Sequence, residues 1–131
     1  MDELLQGPIS QWDTAALQGE VLGALQAMST SGDAQLVDGR VIAVKASPER
    51  GNSTHLAVGV AALPPAYTTV PHTHEAEEVA IVLSGSGAIE IVGVEHPVKA
   101  GDVVVTPPNA PHRTRADAST ALVLLWVYAP C

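Results

Sequence analysis

Apolar and polar positions repeat with two different periods along the chain. Over residues 10–28, Leu17, Val21, Leu25 and Met28 fall at helical spacing with Leu22 beside them, which predicts one amphipathic helix. Ser10 stands as its N-cap, with Asp13 three residues on in the manner of a capping box, and Ser29-Thr30-Ser31-Gly32-Asp33 ends it. Gly19 and Gly23 weaken the helix. From residue 34 the texture changes to short strands and turns. Ala34–Val37 and Arg40–Lys45 flank Asp38-Gly39, a hairpin signal, and 47–53 reads as loop. Residues 54–63 form a strand with Leu56, Val58, Val60 and Ala62 on one face, stopped by Leu63-Pro64-Pro65-Ala66. Strands follow at 67–74 and 78–84, then a Gly85-Ser86-Gly87 turn, then 88–94 and 96–99 divided near Gly93. Ala100-Gly101-Asp102 turns into 102–106, the Pro-rich stretch 107–111 is a rigid connection, and 112–116 and 120–129 close the chain. Nine or ten short strands with turns between them predict an all-β sandwich or barrel. No helix separates strands after residue 32, which excludes a parallel α/β fold. The predicted organisation is therefore an N-terminal helical extension over 1–33 and one β domain over 34–131. Leu122–Val127 is apolar at both parities, so both faces of that strand are expected to be covered, by the N-terminal helix or by a second subunit.

Composition narrows the function classes. The chain has 131 residues, enough for one ordinary core. That core is aliphatic, because there is no Phe and the only aromatics are Trp12, Trp126, Tyr67 and Tyr128. Six basic residues against fourteen acidic ones, a net charge of −8, argue against nucleic acid and against an anionic membrane surface. The single cysteine, Cys131, cannot form an internal disulfide. No signal peptide or membrane span is evident, so a cytoplasmic location is the expectation.

Histidines carry the candidate chemistry. His72 and His74 stand at i and i+2, which on a strand puts both rings on one face with Cβ atoms about 7 Å apart. Two such rings can converge on one ion at about 2.0–2.1 Å from each nitrogen. Glu78 can join them only if the chain bends through Glu75-Ala76-Glu77, because four residues of straight strand span about 13 Å. His112 follows the Pro-rich connection, and Pro107, Pro108 and Pro111 restrict its approach to His74. Taken singly, each of the four reads better as a surface or structural residue than as a ligand. His55 and His96 match no ligand position.

These residues resemble the two motifs of the cupin superfamily. The first family motif runs Gly-x5-His-x-His-x3-Glu-x6-Gly, and here it reads Ala66-x5-His72-x-His74-x3-Glu78-x6-Gly85. The second runs Gly-x5-Pro-x-Gly-x2-His-x3-Asn, and here it reads Gly101-x5-Pro107-x-Asn109-x2-His112-x3-Ala116. Ala66 replaces a family glycine. Asn109 replaces another and can adopt the same left-handed backbone. Ala116 replaces an Asn that is not a ligand. The resemblance, over about residues 34–129, implies a double-stranded β-helix (a jelly-roll barrel), with the N-terminal α-helix read from residues 10–28 in front of it. It also implies one divalent metal held by His72, His74, Glu78 and His112, and a homodimer.

Three His and one carboxylate suit Fe, Mn, Ni or Zn, and leave open positions for a small-molecule substrate. The first reading is a dioxygenase or oxidase using Fe, Ni or Mn on a small oxygen-rich molecule. The second is a non-redox cyclase, isomerase, lyase or decarboxylase with the metal as Lewis acid. The third is a binding protein without turnover. Glu75 and Glu77 read as a solvated loop. Arg113 and Arg115 have opposite strand parity to His112 and are predicted to point away, whereas Thr114 shares its parity. Ala80, Val82 and Thr114 are the predicted wall of a cavity lined by small aliphatic groups. Glu77, Tyr67, Tyr128 and Lys45 are candidates for assisting chemistry. No arginine clamp is apparent, and Lys45 is the one basic residue singled out as a carboxylate anchor.

Overall fold

The computed structural model describes residues 14–29 and 33–130. The chain divides into two compact units, Met1–Thr30 and Ser31–Cys131, and each is described by itself. The first holds helix α1 (Thr14–Ser29). Val21 and Leu22, two residues of the predicted apolar stripe, are exposed along it. The predicted cap at Ser10, with Asp13, lies outside the described residues, as do Trp12 and Cys131.

The second unit is all β. Its strands are β1 (Gln35–Val37), β2 (Arg40–Ala46), β3 (Ala57–Leu63), β4 (Glu77–Ile91), β5 (Val94–Lys99), β6 (Val103–Thr106), β7 (His112–Ala116) and β8 (Leu122–Ala129). All pairings are antiparallel, in the order β1-β2-β3-β8-β4-β5, with β6 and β7 also paired to β4. The hairpin at Asp38-Gly39 forms as predicted, with both residues at positive φ. Among the described residues no helix is long and apolar enough to cross a membrane.

Two expectations need correction, and both change the strand count to eight. The Gly85-Ser86-Gly87 turn does not exist, because β4 runs straight through it for 15 residues. Its first half pairs with β8 and β6, and its second half lies between β5 and β7. The strand therefore bends from one sheet into the other, with a register shift between Val82 and Ser84. Gly85 sits at the bend with φ 82°, and a Cβ there would overlap the carbonyl oxygen of Ala121. These glycines thus mark a bend and a close backbone approach, which is the other meaning of glycine in a strand.

The second correction concerns 67–74, which is not a regular strand. It is extended and touches β7 at two isolated bridges, Thr68 with Arg115 and His72 with His112. The pairing sum changes by one between those bridges, so an extra residue is accommodated around Val70-Pro71, where proline also removes a donor. Strand β3 likewise starts at Ala57 rather than 54. Its interior face carries Ala61 and Leu63, and the predicted face of Val58, Val60 and Ala62 looks the other way.

The core is aliphatic, as composition requires. Ala61, Leu63, Ala80, Val82, Ile89, Val98, Ala116, Leu122 and Leu124 form one buried cluster, with Ile42, Tyr67 and Trp126 packed against it. Leu122, Val82 and Leu63 are the largest fully buried side chains. Each contributes roughly 1.5–3 kcal/mol relative to exposure. On β8 the even positions face this core, while Val123, Leu125 and Val127 remain half-buried on the outer face. The outer face is therefore only partly covered.

Candidate metal centre

The histidines and Glu78 are brought together by three different backbone devices. His72 and His112 exchange both backbone hydrogen bonds at 3.0 Å, which sets their rings side by side with centroids 4.2 Å apart. His74 is fixed from the other side of the loop, because its carbonyl accepts the N–H of Asn109 at 2.8 Å. Asn109 has φ 62°, the left-handed conformation expected where the family has glycine. Ala66, at the other glycine position, also has positive φ, 68°. After His74 the chain bends at Glu75-Ala76, and β4 begins at Glu77. The bend returns Glu78 to the site, on the interior parity of β4 with Ala80 and Val82 beneath it.

The result is a cluster. The ligand atoms of His72, His74 and His112 all lie within 4.8 Å of one another. Oε2 of Glu78 is 3.2 Å from Nε2 of His74 and 3.0 Å from Nε2 of His112. Ligand atoms on one ion sit roughly 3–4 Å apart, so the cluster closes on a metal with a small inward movement.

The hydrogen bonds fix the tautomers. Nδ1 of His72 faces the carbonyl of Val70 at 2.9 Å, Nδ1 of His74 faces that of Ala76 at 2.7 Å, and Nδ1 of His112 faces that of Ala110 at 2.9 Å. A carbonyl only accepts, so each Nδ1 carries a proton, and in its neutral form each ring turns an unprotonated Nε2 into the cluster. This is the arrangement of metal-binding histidines. A neutral His74 then has no proton for the 3.2 Å contact with Glu78, and the buried Nε2 of His112 makes no hydrogen bond at all, its 3.0 Å contact with Glu78 being misdirected. Acceptors facing acceptors at this range repel unless a cation lies between them. The four residues therefore fit a divalent metal.

The cluster opens onto a cavity of about 300 Å³. His72, Glu78 and His112 form one part of its wall, with Thr69 and Thr114 nearby. Ile42, Val44, Ala61, Leu63 and Leu124 supply the aliphatic part. Trp126 and Tyr128 complete it, with rings stacked at 4.9 Å, and the Tyr128 ring lies 4.9 Å from that of His74. The wall is thus more aromatic than predicted. Ala80 and Val82 belong to the core rather than to the cavity. Thr114 lines it as expected. Arg113 and Arg115 point away, to Glu90 and Glu95, and Glu95 raises the Arg115 pKa further by hydrogen bonding and charge. Glu75, Glu77, His55 and His96 are exposed.

Sequence reasoning missed one residue here. Lys45 does not reach the cavity; it pairs with Asp33 at 2.8 Å. The cationic side chain in the wall is Arg40. The signal was present in β2, where Arg40 shares parity with Ile42 and Val44, the inward apolar pair. Tyr67, by contrast, is tied up: its hydroxyl donates to the carbonyl of Asp38 at 2.6 Å and accepts from Arg40 at 3.1 Å.

Comparison with known proteins agrees with this architecture. The chain is 36% identical over 61 residues to dimethylsulfoniopropionate lyase DddW of Ruegeria pomeroyi, a match spanning 47% of this chain and 40% of that protein. The chain thus covers less than half of that relative's length. Among solved structures, a predicted oxalate decarboxylase from Thermotoga maritima superposes with TM-score 0.69 at 23% identity, over 79% of this chain and 96% of that one. The polyketide cyclase RemF from Streptomyces resistomycificus superposes with TM-score 0.68 at 21% identity, over 77% and 75%. At these identities the structural likeness concerns the fold. Residues 59–128, which hold all four candidate ligands, match the Cupin domain family, and with the same barrel around them the chain belongs to the cupin superfamily.

Proposed function

We propose that this protein is a mononuclear metal enzyme acting on a small oxygen-rich organic molecule by non-redox chemistry of the lyase, decarboxylase or cyclase kind. The observation that carries the metal assignment is the convergence of Nε2 atoms with fixed tautomers on the Glu78 carboxylate, at the wall of a cavity. His72, His74, His112 and Glu78 would hold the ion, which supplies Lewis-acid polarisation of a substrate oxygen when bound. The likeness to a protein described as a dimethylsulfoniopropionate lyase supports the non-redox branch over the oxygen-dependent one.

The chain's own residues define the rest of the site. Trp126 and Leu124 exclude water from one side of the cavity, and Thr69 and Thr114 offer hydroxyls on another. Tyr128 is the candidate proton-transfer group, because its ring is in the cavity wall with its centroid 4.9 Å from that of His74. The test is a substrate screen on metal-loaded protein under strict anaerobiosis. Turnover without dioxygen supports the proposal. Turnover that requires dioxygen would move the protein to the oxidase and dioxygenase class, and saturable ligand binding without turnover would make it a binding protein.

A further inference from the structure

Arg40 is the feature of this cavity that the ligand cluster does not explain. It lies on β2, remote in sequence from both motifs, and lines the cavity that His72, Glu78 and His112 also line. It equally borders an adjoining open groove with Asp38, Tyr67, Thr68 and Val70, so it stands at the junction between the two. Its position is built. The Tyr67 hydroxyl, anchored on the Asp38 carbonyl, accepts one N–H of the guanidinium at 3.1 Å. A guanidinium has five donors in a planar fork, and among the described residues Arg40 has no other hydrogen bond and no carboxylate within ion-pair distance. Of the five other basic residues, Lys45, Lys99, Arg113 and Arg115 pair with acidic side chains and Arg50 is exposed, in a chain of net charge −8. A half-buried guanidinium with no carboxylate partner among the described residues disfavours the empty cavity and favours an anion. Three neutral imidazoles and one carboxylate around a divalent ion leave one further positive charge in the same space.

We propose that Arg40 is the substrate anchor, and that the substrate is a small carboxylate whose charged end is held by the Arg40 fork while another oxygen faces the histidine cluster. The planar fork matches two coplanar carboxylate oxygens, and one arginine suffices for one negative charge. This inference deepens the metal-enzyme reading by naming the substrate class, but its test does not depend on that reading.

The probes are butyrate and its uncharged near-isostere butyramide, titrated by NMR into wild-type, Arg40→Gln and Arg40→Lys protein. Each titration is run metal-free in chelator and again after loading with zinc. Wild-type protein is expected to prefer the acid over the amide in both states. Arg40→Gln is expected to weaken butyrate by about ten- to a hundredfold and leave butyramide unchanged, with Arg40→Lys intermediate. Zinc affinity is expected to be the same in all three proteins. A wild-type protein without acid preference, or an Arg40→Gln protein that retains it, would overturn the anchor. Failure to bind zinc would instead count against the metal centre, with the metal-free titrations still deciding the role of Arg40.

Discussion

Replacing Glu78 by glutamine is expected to make the metal-free protein more stable and the metal site much weaker. The reasoning starts from the two contacts of Oε2, at 3.0 Å to Nε2 of His112 and 3.2 Å to Nε2 of His74. In the neutral rings both nitrogens are acceptors, because each ring donates from Nδ1 to a backbone carbonyl. Without metal, three acceptors crowd together in a site where His112 is 5% exposed. A glutamine amide placed there has two N–H donors and can satisfy both nitrogens. Satisfying a buried acceptor and removing the repulsion should stabilise the metal-free protein by about 1–2 kcal/mol. For a domain of this size that raises Tm by roughly 4–8 °C per kcal/mol. With metal the sign reverses, since the only anionic ligand is lost and affinity should fall at least about a hundredfold. The assay is thermal unfolding of both proteins at about pH 9, above the ordinary imidazole range, in chelator and then in excess zinc. Wild-type should gain far more from zinc than Glu78→Gln. A variant destabilised in chelator, or one that gains as much from zinc as wild-type, would refute the tautomer argument.

Other predictions follow from single residues. His74→Ala should abolish tight metal binding while Glu77→Gln, altering an exposed side chain, should leave it unchanged in a zinc titration. Tyr128→Phe should lower kcat with metal content unchanged; an unaltered kcat would remove Tyr128 from proton transfer. Ala66→Gly should stabilise the fold by about 1 kcal/mol in urea unfolding, because φ is 68° at a position where a Cβ is strained. Gly59→Ala should cost about 1–3 kcal/mol in the same assay, since a Cβ there would overlap the Trp126 ring. We also propose that the half-buried outer face of β8 joins two copies of the chain; light scattering should then give twice the chain mass, and a monomer at micromolar concentration would argue against it.

Most of the barrel was legible because its turns are marked locally. Asp38-Gly39 and the Pro-rich 107–111 segment each end a strand for a stated stereochemical reason, and β7 spans the same residues in prediction and structure. What escaped was long-range. Whether Gly85 makes a turn or a bend depends on Ala121, which is 36 residues away and packs against it. The irregular path of 67–74 is set by its register against β7, which local alternation does not encode. The candidate ligands were readable from their spacing, since the bend at Glu75-Ala76 needed to return Glu78 is present. Arg40 was not readable from motif spacing, because its one signal, shared parity with Ile42 and Val44, names a face of β2 without saying that it looks inward. That face is decided by the pairing of β2 with β3 rather than by either motif.

The central claim is that this cluster binds one metal ion. The most direct measurement is elemental analysis of protein purified without an affinity tag or added metal, followed by reconstitution of any metal-free fraction. The account predicts one divalent transition metal ion per chain, lost in His74→Ala. A wild-type protein that carries no metal and takes none up would contradict it.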